Sequence, residues 1–118
     1  MAINITEIQN LAGFIAGCLV DSETGLVLAS EIKVANFDVE TAAAANTDVV
    51  KAKIRAMASL GVRDSIEDIL ITLGKQYHLI RPLASNPAVF LYVVLERASS
   101  NLGIARITLK NVEAALKI

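Results

Sequence analysis

Residues 88–95, AVFLYVVL, form an unbroken apolar run of eight residues. A strand with one wet face alternates apolar and polar residues, so this run reads as a strand covered on both faces. Its sheet must therefore lie between helices, or between helices and a second protein. SIEDILITLGKQYHLIRPL, before the run, reads as two strands joined by a tight turn at Gly74 and Lys75. NLGIARITLKNVEAALKI, after it, reads as a closing helix capped by Asn101, with Leu102, Ala105, Leu109, Val112 and Leu116 as its apolar stripe. Pro82 suits the end of its strand or a sheet edge, because it has no N–H to give a ladder.

Upstream, Asn4 and Glu7 have capping-box spacing with Ile3 and Ile8 at the staple positions, which predicts a short α-helix of about two turns ended by Gly13. Residues 14–20 and 26–29 read as a hairpin around the turn SETG, where Gly25 supplies a positive φ. EIKVANF has no clear conformation. Asp38 is a good N-cap for the longest element, a helix over 39–60 that Gly61 stops. Val39, Ala42, Ala43, Val50, Ile54, Met57 and Leu60 share one broad side of it, with Val49 at the edge, so Val50, Ile54 and Met57 are expected to face inward. Asn46 and Lys53 interrupt that side. The alanines at 42–45 keep the surface thin enough for another helix to approach. The strand expected over 66–73 places Ile69, Ile71 and Leu73 on one face and Asp68, Leu70 and Thr72 on the other. The order is α-β-β-α-β-β-β-α, an α+β chain read as one domain over 1–118.

Composition narrows the function classes. Hydrophobic residues make up 54% of the 118 and charged residues 19%, an apolar excess that a small protein usually covers by self-association. Eight apolar residues are far short of the roughly 20 that span a bilayer, so no membrane insertion is expected. No targeting segment is visible, and one cysteine excludes an internal disulfide, which fits a cytoplasmic setting. A formal net charge of −1 with scattered basic residues gives no stripe for nucleic acid.

Catalytic readings fare poorly. Cys18 has no His or Cys partner at useful spacing and reads as a small core residue. His78, the one histidine, alternates with Tyr77 and Leu79 in a strand and shows neither an orienting group nor a cleft. Glu67 and Asp68 are adjacent and point to opposite faces, so they cannot converge on a substrate. The isolated glycines form no phosphate loop, and no cofactor, metal or intrinsic nucleotide site is expected. The chain does not read as an enzyme.

The hairpin GCLVDSETGLVLAS, with Gly17, Asp21, Gly25 and Leu26, and the later RPL and NLGIAR segments, with Pro82, Leu83, Leu102, Gly103 and Arg106, resemble the roadblock family. The resemblance covers nearly the whole chain and rests on the order and spacing of these segments. It implies a roadblock/profilin-like sandwich, a five-stranded antiparallel sheet with helices on both faces. It further implies a homodimer in which sheets join edge to edge through the 66–73 strand and the long helices lie side by side. Ala42, Asn46, Val49 and Lys53 of the helix and Ile66, Asp68, Leu70 and Thr72 of the strand are then expected at the dimer interface. The family includes bacterial regulators of polarity and gliding motility that bind a small Ras-like GTPase on the paired helices. Asp48, Lys51 and Arg55 become the expected partner-binding face, although a solvated surface is the ordinary reading of such residues. Two other readings stand beside this one. A small-molecule sensor would need a cavity with converging polar groups, for which Tyr77, His78 and Arg81 are the candidates. A purely structural dimeriser would bind a partner indifferently to nucleotide.

Overall fold

A computed structural model describes residues 3–117. Five strands, β1 (Phe14–Asp21), β2 (Leu26–Ile32), β3 (Ile69–Thr72), β4 (Gln76–Pro82) and β5 (Val89–Glu96), make one antiparallel sheet in the order β2-β1-β5-β4-β3. The apolar run is thus the middle strand, hydrogen-bonded on both sides and buried along both faces. One face carries the helix α1 (Val39–Leu60), with Ala43 and Val50 packed on Cys18, Val20, Ile80, Phe90 and Tyr92. The other carries α2 (Leu102–Ala115) and the N-terminal turn, with Ile8, Ala105 and Leu109 packed on Leu19, Leu79, Leu91 and Val93. This is the α+β architecture expected from the element order.

The helix termini follow their capping residues. Asp38 accepts the Thr41 amide at 3.0 Å, Gly61 closes α1 in the left-handed region at φ 71°, and Asn101 accepts the Ile104 amide at 3.0 Å. The N-terminal element is a correction: Thr6–Asn10 is a 3₁₀ helix. Asn4 accepts from the Thr6 amide and hydroxyl at 3.0 and 2.7 Å, so it closes a local turn two residues ahead and the expected box with Glu7 does not form. Gly17 lets this turn sit on the sheet, since a Cβ there would come within 2.5 Å of Ile8 Cδ1. The EIKVANF connection begins as a continuation of β2, and Asn36 within it takes a positive φ of 71°.

β3 is shorter than the expected 66–73 strand, and Pro82 explains why. The Leu73 amide donates to the Gln76 carbonyl at 2.9 Å, so in the register Ile69↔Ile80 to Thr72↔Tyr77 the hydrogen-bonded pairs are Ile71–His78 and Ile69–Ile80. The next such pair would set Glu67 against Pro82, which has no N–H to donate. The ladder stops, and Ile66 and Asp68 lie outside the strand.

Candidate functional site

Both edges of the sheet, β2 and β3, have a free side, and they differ. In β2, Leu19 pairs with Ala29 while Val20 pairs with Val27, so Leu28 is an extra residue and the edge is bulged. Bulges bend an edge away from further strand pairing. β3 pairs with β4 without a break. By the same alternation that ends the ladder, the backbone groups of Leu70 and Thr72 face outward from β3, unpaired.

Beside that open edge, α1 outruns its own sheet. Its buried residues, Ala43, Asn46, Thr47 and Val50, all lie at or before Val50, and none falls in the last ten residues. Beyond them Ile54 is 49% exposed, Leu60 is 74% exposed and Met57 is half-buried. The expectation that Val50, Ile54 and Met57 all face inward is therefore corrected: only Val50 of the trio is buried, while Ile54 and Met57 line an open groove that faces the end of β4. Ala42 and Val49 pack partly on their own sheet, and Lys53 is exposed. Asn46 is 8% exposed within the protomer and lies beside the Tyr92 hydroxyl, whose pKa is raised by burial and held partly back by the Asn46 side chain. It is thus placed inside the chain's own core. Asp48, Lys51 and Arg55 are exposed.

Asp68, expected along the joining strand, takes Arg106 in a two-pronged contact at 3.0 and 3.2 Å. That contact ties the segment before β3 to α2 and gives Arg106 a structural role. Leu70 packs on the α2-side core, Ile69 and Ile71 on the α1-side core, and Thr72 is exposed. Ile66 lines a groove of about 710 Å³ between the end of α1, residues 62–67 and the end of β4. The Arg81–Glu113 ion pair, at 2.6 Å and nearly buried, lies in the same groove, and Glu113 also accepts the Ala84 amide at 2.7 Å. Sequence spacing gives no hint of this pair, whose members are brought together only by the docking of α2 across β4.

Tyr77, His78 and Arg81 do not converge. Tyr77 packs on the α2 side beneath the Arg97 guanidinium, 5.6 Å from the ring centroid. His78 lies on the other face and, contrary to the sequence reading, does have orienting partners. Its Nε2 donates to Gln76 Oε1 at 2.9 Å, and its Nδ1 accepts from the Tyr92 hydroxyl at 3.0 Å. Arg81 lines the groove alone of the three. Cys18 is buried with its thiol pKa pushed up to about 12 by burial, which leaves it a core side chain. Among the described residues no group of three or more His, Cys, Asp or Glu side chains is placed to hold a metal ion. No described helix is long and apolar enough to cross a membrane.

The chain is thus an antiparallel α+β sandwich with one unbulged open edge and an uncovered helix end beside it. Its fold is of the roadblock type. Myxococcus xanthus MglB superposes with a TM-score of 0.79 at 19% identity, over 92% of this chain and 84% of that one. A roadblock/LC7 domain from Streptomyces avermitilis gives 0.78 at 13% identity, over 92% and 86%. The gliding protein MglB from Thermus thermophilus gives 0.77 at 18% identity, over 95% and 82%. No protein-family model and no curated protein sequence matches the chain.

Proposed function

We propose that the chain is one roadblock-type domain acting in the cytoplasm as a non-enzymatic homodimeric scaffold for a small Ras-like GTPase. The observation that carries this reading is the open, unbulged edge of β3 beside the uncovered half of α1. Pairing β3 with a second copy satisfies the outward groups of Leu70 and Thr72 and brings a second α1 across the sheet to cover Ile54, Met57 and Leu60. Helix pairing then involves Lys53, Ile54, Met57 and Leu60, with Ala42 and Val49 at its margin. Ile66 and Asp68 flank the strand junction. The MglB-like fold supports this use of the surface, and the resemblance of the hairpin and final-helix segments supplies the GTPase as partner.

Asp48, Lys51 and Arg55 of both copies form the binding face on the paired helices. A preformed platform regulates by binding one nucleotide state of the partner more tightly than the other. Titration of the full chain with a small Ras-like GTPase from the same cell, loaded with GDP or a non-hydrolysable GTP analogue, tests this. Binding that differs between the two states supports the scaffold. Equal affinity favours the structural dimeriser, and no binding to any such GTPase removes the partner assignment.

A further inference from the structure

The groove is the notch left where β3 stops short of its neighbour. Pro82 ends the ladder, so the end of β4 has no strand beside it, and the groove opens between it and residues 62–67. The β4 residues whose main chain faces β3 are His78 and Ile80, and by the same alternation the Pro82 carbonyl points into the notch. Among the described residues no N–H donates to it. Arg81 supplies the complementary group. Its side chain is nine-tenths buried and its Nε is taken by Glu113, yet Nη1 and Nη2 donate to no described acceptor and are not sealed from the surface. Adjacent residues of one strand thus give the groove an open main-chain acceptor and open donors.

Charge and lining decide what can use these groups. Ile54, Met57, Val62 and Ile66 wall the groove with apolar surface. Asp64 and Glu67 form an exposed lip, and neither takes part in an ion pair among the described residues. Glu113 already balances Arg81, so an entering carboxylate would pass the acidic lip and then set a second negative charge against one guanidinium. A neutral oxygen meets neither cost. Peptide main chain carries such an oxygen together with an N–H, the pair that the open groups of Arg81 and Pro82 match. The volume of about 710 Å³ lies in the range of sites that enclose a drug-sized ligand, which is room for a short run of side chains.

We propose that this groove binds a short segment of a partner protein in which apolar residues stand beside lysine or arginine. The segment's main chain pairs with Arg81 Nη and the Pro82 carbonyl, its apolar side chains fill the space under Ile54 and Met57, and its basic side chains meet Asp64 and Glu67. The groove lies within one protomer, so the inference stands apart from how copies pair. A second α1 over the outer sides of Ile54 and Met57 walls the groove and leaves the lip as its mouth. Fluorescence anisotropy of a labelled leucine–lysine peptide, titrated with the full chain, tests this beside leucine–glutamate and serine–lysine peptides of the same length. The leucine–lysine peptide should bind saturably, one per protomer, and the other two at least about tenfold more weakly. Reversing Asp64 and Glu67 together to Lys should raise its Kd about tenfold or more. Ala58→Trp, at an exposed lining position, should do the same by filling the groove, with thermal melts confirming that both variants are folded. Main-chain N-methylation of the peptide should weaken it likewise, by removing the N–H that Pro82 accepts. No saturable binding to the wild type, equal binding of the leucine–glutamate peptide, or binding unchanged in both variants would overturn the proposal.

Discussion

Truncating Leu91 to Ala tests the core at the point where the fold is most constrained. Leu91 is fully buried in the middle strand, opposite Leu19 on one side and Arg81 on the other, and packs in the α2-side core with Leu79, Val93 and Leu109. The change removes three carbons, worth about 2.4 kcal/mol at roughly 0.8 kcal/mol per buried methylene. β5 is hydrogen-bonded to both neighbours and cannot shift to fill the space, so a residual cavity adds about 1 kcal/mol, for a total of roughly 3–4. A chain of this size has a total stability of about 5–15 kcal/mol, so the variant loses a large share of it. Urea unfolding followed by far-UV circular dichroism, at one protein concentration, should show a lower midpoint with an unchanged slope. Val93→Ala should cost about 2 kcal/mol by the same reasoning. Leu26→Ala, at a position 63% exposed, should stay within about 0.5 kcal/mol of the wild type. Losses below about 1 kcal/mol at both Leu91 and Val93 would mean that β5 is not the doubly covered strand described here.

Glu113→Ala strips the partner from the nearly buried Arg81 and from the Ala84 amide, and should cost about 3–5 kcal/mol in the same unfolding assay. The His78 pKa is lowered from the ordinary 6.5 by burial, so the folded state favours the neutral ring. Its contribution is present above pH 6.5 and lost as pH falls below it, and comparing the melts of wild type and His78→Gln between neutral pH and mildly acidic pH should show a flatter profile for the variant. Reversing Lys51 and Arg55 together to Glu should leave the melting temperature within a degree or two, because exposed charges contribute little. Calorimetric titration of that double variant should show GTPase affinity reduced about tenfold or more, since the platform presents each change twice; unchanged affinity would put the binding face elsewhere.

Much of the fold was legible in local chemistry. Asp38 and Gly61 bounded the long helix at Val39–Leu60, Asn101 marked the start of the last, and eight apolar residues identified the middle strand. These signals act over a few residues and do not depend on what packs nearby. The 3₁₀ turn was less legible because Asn4 has two amides within reach, and the nearer one took it. The start of β3 depended on its partner strand, where Pro82 ends the ladder. The helix pattern gave the direction of Ile54 but not the open groove that it lines. Asn46 reads as an interruption of an apolar stripe until Tyr92 is placed beside it. The Asp68–Arg106 and Arg81–Glu113 contacts span 38 and 32 residues, and no spacing rule links such positions.

The central claim is that the open edge of β3 and the uncovered half of α1 are covered by a second copy. Light scattering on a size-exclusion column, at micromolar concentrations and on dilution, measures this most directly. The account predicts a mass twice the 12.6 kDa of the chain, with Leu70→Pro, which places a proline on the joining edge, shifting the population toward monomer. A mass of 12.6 kDa at every concentration would contradict it, and with it the two-helix platform.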